Sequence, residues 1–258
     1  MSRISALLLA AGVGTRLQPL TDKLPKCLMP IGGIPLLEHW LSLLYRTDIH
    51  NVLINTHHHK AMVEEFLLRA RFNKWVKSTH EPDLLGTART LRQNASFFEG
   101  KTVLLAHADN WINCNFNDFL DFHVNRRPDK TIITMMTFRT TKPKTCGIVE
   151  IDPVGVVQKF HEKVTEPPGN LANGAVYLLE PEVTNWLLEK RDATDFSTDV
   201  VPEFLGRIAT WENTKIHRDI GTIESLRSAQ NDPLPRASWP VDDDWSTSFR
   251  SHQVHQDI

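Results

Sequence analysis

Two glycines, two cations and two carboxylates carry the chemistry this sequence suggests. Residues 7–30 read LLLAAGVGTRLQPLTDKLPKCLMP, so small residues and the pair Gly12 and Gly14 come directly after an apolar run. Backbone N–H groups in such a loop can point at phosphate oxygens with no Cβ in the way. Leu9, Ala10, Ala11, Gly12, Gly14 and Thr15 are the candidate phosphate cradle. Arg16 and Lys26 add two cations on the same side of the chain. A planar guanidinium can grip a phosphate bidentately, while an ammonium acts as a mobile point charge on a reacting phosphoryl group. Lys26 reads as an exposed loop lysine, whose charge would matter more than its packing. Gly12-Val13-Gly14 lacks the third glycine of a dinucleotide fingerprint, and no GxxxxGK[ST] is present, which disfavours nicotinamide dehydrogenases and P-loop NTPases. A GxG after a strand can also be a plain tight turn.

Asp109 ends a second apolar run, in LLAHADN, where α/β sheets collect ligands; its carboxylate is a hard oxygen donor. Asp219 lies in HRDIGT, and spacing alone does not pair it with Asp109; an exposed turn aspartate is the plain alternative for each. His57, His58 and His59 are consecutive, so their rings point in different directions, and they read as a strand-to-helix loop rather than zinc ligands.

The elements that must position these groups alternate. Residues 4–10 form a strand apolar on both faces, and Leu36, Leu37, Trp40, Leu41 and Leu44 then recur at helical spacing. Strands are expected at 52–55, 76–79, 102–107, 130–138, 175–179 and 215–218, and helices at 60–71, 116–124, 182–189, 199–205 and 222–230. Trp40 and Phe66 belong on core-facing helix surfaces. Residues 149–151 and 154–160, separated by Asp152 and Pro153, read as a hairpin. The pattern predicts an α/β protein with a Rossmann-like three-layer α/β/α arrangement and a mixed, mostly parallel central sheet.

Residues 1–231 make one domain, and residues 232–258 break every periodicity with prolines, an aspartate run and isolated tryptophans. That tail is expected to be extended or disordered, either frayed or an arm packing Trp239 and Trp245 on a neighbouring subunit in a homo-oligomer. The 258 residues are 41% hydrophobic, enough for a sizeable core, and the net charge of 29 − 31 = −2 gives no general attraction to nucleic acid or an anionic membrane. Any anionic ligand must be held locally. Neither a signal peptide nor a membrane helix is visible, so a cytoplasmic location is the default. Cys27, Cys114 and Cys146 are odd in number and far apart, which suits reduced thiols rather than a disulfide framework.

The string Gly12-Val13-Gly14-Thr15-Arg16-Leu17, followed by Pro19, Thr21 and Pro25-Lys26, resembles the sugar-phosphate nucleotidylyltransferases, which carry GxGTRL, then proline and threonine, then Pro-Lys. The resemblance runs to about residue 231. It implies the nucleotide-diphospho-sugar transferase type of fold and transfer of NMP from an NTP to a sugar 1-phosphate with release of pyrophosphate. Overall likeness to mannose-1-phosphate and heptose-1-phosphate guanylyltransferases favours GTP, although thymidylyl, uridylyl and cytidylyl relatives share most of these motifs. Arg16, Lys26, Asp109 and Asp219 would then be catalytic, the two aspartates holding Mg²⁺. The family's base-contacting segment resembles residues 81–88, EPDLLGTA, with Arg89 where glycine is frequent, and implies nucleotide contacts from Glu81, Gly86 and Thr87; a helix capped by Thr87 is the plain alternative. On the sugar side the resemblance implies Gly147, Glu162, Lys163 and Asn173, with Lys163 holding the sugar phosphate and Glu162 a hydroxyl. Two other classes compete. A regulatory subunit would bind sugar nucleotide without turnover, and a related glycosyltransferase would need Asp-x-Asp where His107-Ala108-Asp109 offers one carboxylate.

Overall fold

The apolar run near the start becomes β1 (Ile4–Leu9), an interior strand of a nine-stranded sheet, in a computed structural model that describes residues 4–236, 238–239 and 243–258. Successive side chains point to opposite faces, so Ala6 and Leu8 enter one apolar cluster and Leu7 the other. A short hairpin, β2 (Pro30–Ile31) and β3 (Ile34–Pro35), leads into α1 (Leu36–Arg46), β4 (Val52–Thr56), α2 (Lys60–Leu67), β5 (Val76–His80) and α3 (Thr87–Gln93). Then follow β6 (Thr102–His107), β7 (Asn110–Asn113), α4 (Phe116–Asp121) and β8 (Ile133–Arg139). The antiparallel pair β9 (Gly147–Ile151) and β10 (Val157–Glu162) precedes β11 (Leu171–Leu179), α5 (Pro181–Glu189), β12 (Ile208–Glu212), β13 (Ile216–Asp219) and α6 (Ile223–Ala229).

The strand order is β10-β9-β11-β6-β1-β4-β5, with β8 and β12 continuing from β11. The half formed by β6, β1, β4 and β5 is wholly parallel, and the half around β11 is antiparallel apart from the β8–β12 pair. Trp40, Phe66, Phe119 and Leu226, from α1, α2, α4 and α6, cover one face; Leu91, Val183 and Leu187, from α3 and α5, cover the other. The result is a three-layer α/β/α sandwich around a mixed sheet. Among the described residues no helix is long and apolar enough to cross a membrane. The three cysteines are unpaired, and burial pushes the thiols of Cys27 and Cys114 up to about 12.

Several elements differ from the sequence expectation. The helix expected over 60–71 stops at Leu67. The segment expected as a helix over 199–205 is a π turn, Phe196–Val200, followed by a 3-10 turn, Val201–Phe204, because Pro202 has no N–H to continue an α ladder. The largest difference is the tail. Where an extended or disordered segment was expected, α7 (Asp244–Arg250) and α8 (Val254–Asp257) form, and Phe249 and Val254 are buried in the first apolar cluster. Asp243 caps α7 by accepting from the Ser246 N–H at 2.8 Å. Its carboxylate also accepts from Arg69 Nε at 2.8 Å, and Arg69 in turn meets Glu38 of α1 at 2.6 Å. Trp239 donates its indole N–H to Glu38 Oε1 at 2.9 Å, and the Arg69 guanidinium lies 4.7 Å from the Trp245 ring centre. Both tryptophans pack on their own chain rather than reaching out as an arm, because Arg69 and Arg71 on the core supply the opposite charge that Asp243 needs.

Candidate active site

β1 delivers the glycine loop to the end of the parallel half of the sheet. Ala10 N–H donates to Asn55 Oδ1 at 2.7 Å, which anchors the loop's first residue to the neighbouring β4. Beyond it, no backbone N–H of residues 11–14 donates to a protein acceptor among the described residues, so these groups are available to an anion. Gly14 sits at φ 70°, ψ 36°, a left-handed conformation, and a Cβ there would lie 2.9 Å from the Thr21 methyl and 3.2 Å from Lys26 Cβ. The Gly14 carbonyl accepts from Leu17 N–H at 2.9 Å and from Thr21 Oγ1 at 3.0 Å. The turn Thr15–Leu17 buries Leu17 and leaves the Arg16 side chain 69% exposed.

Lys26 is not the exposed loop lysine that its sequence context suggests. Its side chain is only 9% exposed, and its Nζ lies 2.5 Å from Asp109 Oδ2 and 3.4 Å from Asp219 Oδ1. Arg16 Nη2 stands 3.7 Å from Asp219 Oδ2. A two-stranded ribbon produces this convergence: β7 and β13 pair antiparallel with Asn110 opposite Asp219, and the Ile220 N–H donates to the Asp109 carbonyl at 3.0 Å. Gly221 completes it, since a Cβ there would fall 2.7 Å from Asp219 Oδ2 and 2.9 Å from Arg16 Nη2.

Charge holds the group ionised. Burial alone would lower the Lys26 pKa, but Asp109 and Asp219 outweigh it and the net shift is upward. Burial would likewise raise the Asp109 carboxyl, yet Lys26 and then His107 hold it below the ordinary carboxylate value. Two hard carboxylates therefore converge on one cation, and no cage of three or more histidine, cysteine or carboxylate ligands exists among the described residues. That donor set fits Mg²⁺, which takes one or two carboxylates and completes its shell with water and phosphate oxygens.

The segment expected to contact the base runs from β5 into α3, and much of its polarity is used internally. Glu81 is 3% exposed; its carboxylate accepts from Asn55 Nδ2 at 3.0 Å and Thr90 Oγ1 at 2.5 Å. The Thr87 hydroxyl accepts from Phe196 N–H at 2.6 Å and donates to Asp195 at 3.2 Å, so it neither caps α3 nor stands free for a ligand. Gly86, at φ 88°, lets the chain pass the Thr194 carbonyl, which a Cβ would meet at 2.5 Å. Glu81 and Thr87 are thus both hydrogen-bonded within the protein, as the burial of Glu81 requires.

In the segment expected to meet the sugar, a Cβ at Gly147 would lie 2.5 Å from the Phe160 ring and 2.6 Å from Glu162 Oε2, so any larger residue there would have to push those two side-chain ends aside. Lys163, at φ 49°, follows β10 with its side chain 66% exposed and its Nζ 3.1 Å from Glu162 Oε1. Asn173 turns inward: Nδ2 donates to the Tyr177 hydroxyl at 2.6 Å, and Oδ1 accepts from Ala175 N–H at 2.9 Å. It shapes a bulge in β11 at which Ala175 adopts φ 51°.

Sequence reasoning missed three residues that tie the site together. Asn55 bridges the glycine loop and Glu81. Asn110 and His217 both donate to the Gly174 carbonyl, at 3.0 and 2.8 Å, docking the β7–β13 ribbon on the β11 bulge. Burial lowers the His217 pKa to about 4, and its ring stacks on Phe138 at 4.1 Å. The available signal was a polar side chain inside a strand run, as in VLINT and NWIN.

The nucleotidyl transferase family profile matches residues 5–235. Mannose-1-phosphate guanylyltransferase of Mycobacterium tuberculosis is 28% identical over 98% of this chain and 69% of its own length. Glucose-1-phosphate adenylyltransferase of Thermotoga maritima is also 28% identical, over 89% of this chain. The chain spans only 60% of that second relative's length. A crystallised Bacillus anthracis chain ascribed glucose-1-phosphate thymidylyltransferase activity superposes with a TM-score of 0.80 at 22% identity, covering 90% of this chain and 98% of that one.

Proposed function

This chain belongs to the nucleotidyl transferase family, and from that premise we propose that it is a sugar-1-phosphate nucleotidylyltransferase, with GTP and a mannose- or heptose-type sugar 1-phosphate as the favoured pair. The observation that carries the reading is the convergence of Lys26 on Asp109 and Asp219 beside a loop of unengaged N–H groups. A phosphate oxygen of the sugar phosphate attacks the α-phosphorus of the NTP. The new P–O bond forms as the bond from α-phosphorus to the bridging oxygen breaks, and that oxygen leaves with pyrophosphate. No protein nucleophile is needed.

Both reactants are strongly anionic, so the work of the chain is alignment and charge stabilisation. N–H groups of the glycine loop and Arg16 take the triphosphate. Lys26 faces the reacting phosphoryl group, and Lys163 holds the sugar phosphate. Asp109 and Asp219 would hold Mg²⁺, which would supply positive charge to the reacting phosphates. The relatives include guanylyl and adenylyl transferases, so the base is the finer part of the proposal. A pyrophosphate-release screen of four NTPs against a panel of sugar 1-phosphates tests it. Release with GTP and mannose or heptose 1-phosphate is expected; release with another pair would replace the substrates, and none with any pair would overturn the enzyme reading.

A further inference from the structure

All three rings of the histidine triplet at the end of β4 are committed to backbone carbonyls. His57 Nδ1 lies 2.8 Å from the Glu81 carbonyl, and His58 Nε2 and His59 Nε2 lie 3.1 and 3.0 Å from the carbonyl of Thr21. We propose that His57, His58 and His59 are positioning residues that clamp the two halves of the nucleotide site to each other: the glycine loop on one side, the segment running from β5 into α3 on the other.

A carbonyl oxygen only accepts, so His58 and His59 must each present N–H at Nε2 and His57 at Nδ1. One carbonyl has two lone pairs, which allows both rings to donate to Thr21. Consecutive residues reach a single acceptor because His59 is left-handed, at φ 52° and ψ 37°, where it opens α2; the two ring centres are then 3.9 Å apart. Thr21 is 2% exposed and passes the constraint inward through its hydroxyl, which donates to the Gly14 carbonyl at 3.0 Å. The Gly14 carbonyl and the Thr15 N–H share one rigid peptide plane. Fixing the first therefore aims the second at the phosphate position. A loop that merely filled space would not place three successive side chains on carbonyls of two other segments, both belonging to one site.

This inference rests on the nucleotide reading of that site, and its test separates the two. His58→Leu/His59→Leu removes both donors, whereas His58→Gln/His59→Gln keeps a neutral N–H donor near each Nε2. Both pairs share the backbone cost at His59, so their difference reads the donor. The Leu pair is expected to raise KM for NTP about tenfold, as befits two hydrogen bonds worth a few-fold each, with KM for sugar phosphate within about twofold. The Gln pair should recover most of the loss, and His57→Asn should likewise outperform His57→Leu. Hydrogen exchange of the peptide covering residues 11–26 should quicken in the Leu pair while β1 and β6 peptides stay protected. Unchanged exchange there, equal KM effects on both substrates, or a Gln pair as impaired as the Leu pair would each overturn the clamp. Because exchange needs no turnover, it judges the clamp even if wild type releases no pyrophosphate, a result that would count against the proposed reaction alone.

Discussion

Lys26→Met removes one ammonium and keeps an apolar stem of similar length. In the native chain that ammonium lies 2.5 Å from Asp109 and 3.4 Å from Asp219, with side chains 9%, 28% and 55% exposed respectively. Removing one partner of a fully buried pair costs about 3–5 kcal/mol, and water reaches these carboxylates, so we expect about 2 kcal/mol of lost stability. With a urea slope of about 3 kcal/mol/M for a chain of this size, the unfolding midpoint should fall by about 0.7 M. Mg²⁺ should restore part of that loss in the variant and move the wild type much less, because only the variant has two carboxylates without their resident cation. Turnover should fall by about 10²–10³-fold, the range for losing one preorganised charge or donor at a developing anion. The assays are urea unfolding with and without Mg²⁺ and steady-state pyrophosphate release. A variant as stable as wild type, equally insensitive to Mg²⁺ and turning over within about threefold of it, would refute the reasoning that Lys26 neutralises both aspartates.

Lys163→Ala should raise KM for the sugar phosphate far more than for NTP, since its exposed ammonium is the one proposed to hold the sugar phosphate; kinetics with each substrate varied would show it, and equal effects would reduce it to a general electrostatic role. Asp219→Asn should weaken the coupling between Mg²⁺ and NTP binding, read by calorimetric titration of NTP with and without the metal; undiminished coupling and turnover would strike Asp219 from the site. The tail should respond to acid. Burial would push the Asp243 carboxyl up, but Arg69 and Ser246 hold it far below the ordinary value. A depressed carboxyl contributes stability above its unfolded pKa of about 4 and loses it as pH falls below that. The stability gap between wild type and Asp243→Asn, measured by urea midpoints, should therefore be constant above about pH 5 and narrow below about pH 4; a gap that did not change would remove Asp243 as the lock of α7.

What the sequence determined by itself is local. The glycine loop is legible because the N–H groups of consecutive residues act together, so composition over a few positions carries the meaning of residues 11–16. The three-layer architecture is legible because period-2 and period-3.6 apolar patterns report which faces are buried, as Ala6, Leu7 and Leu8 alternate between the two clusters. Pairing across long separations leaves no such trace. Asp109 and Asp219 meet only through the β7–β13 ribbon, whose first strand is four residues long and too short to show a period. Burial of polar groups is equally invisible beforehand: Lys26 and Glu81 read as groups free for a ligand, and folding supplies Asp109 and Thr90 as their partners. The tail is the sharpest case. Its aspartates and tryptophans break every local pattern, and α7 and α8 dock because Arg69 and Arg71, far away in sequence, offer Asp243 opposite charge and the first apolar cluster takes Phe249 and Val254.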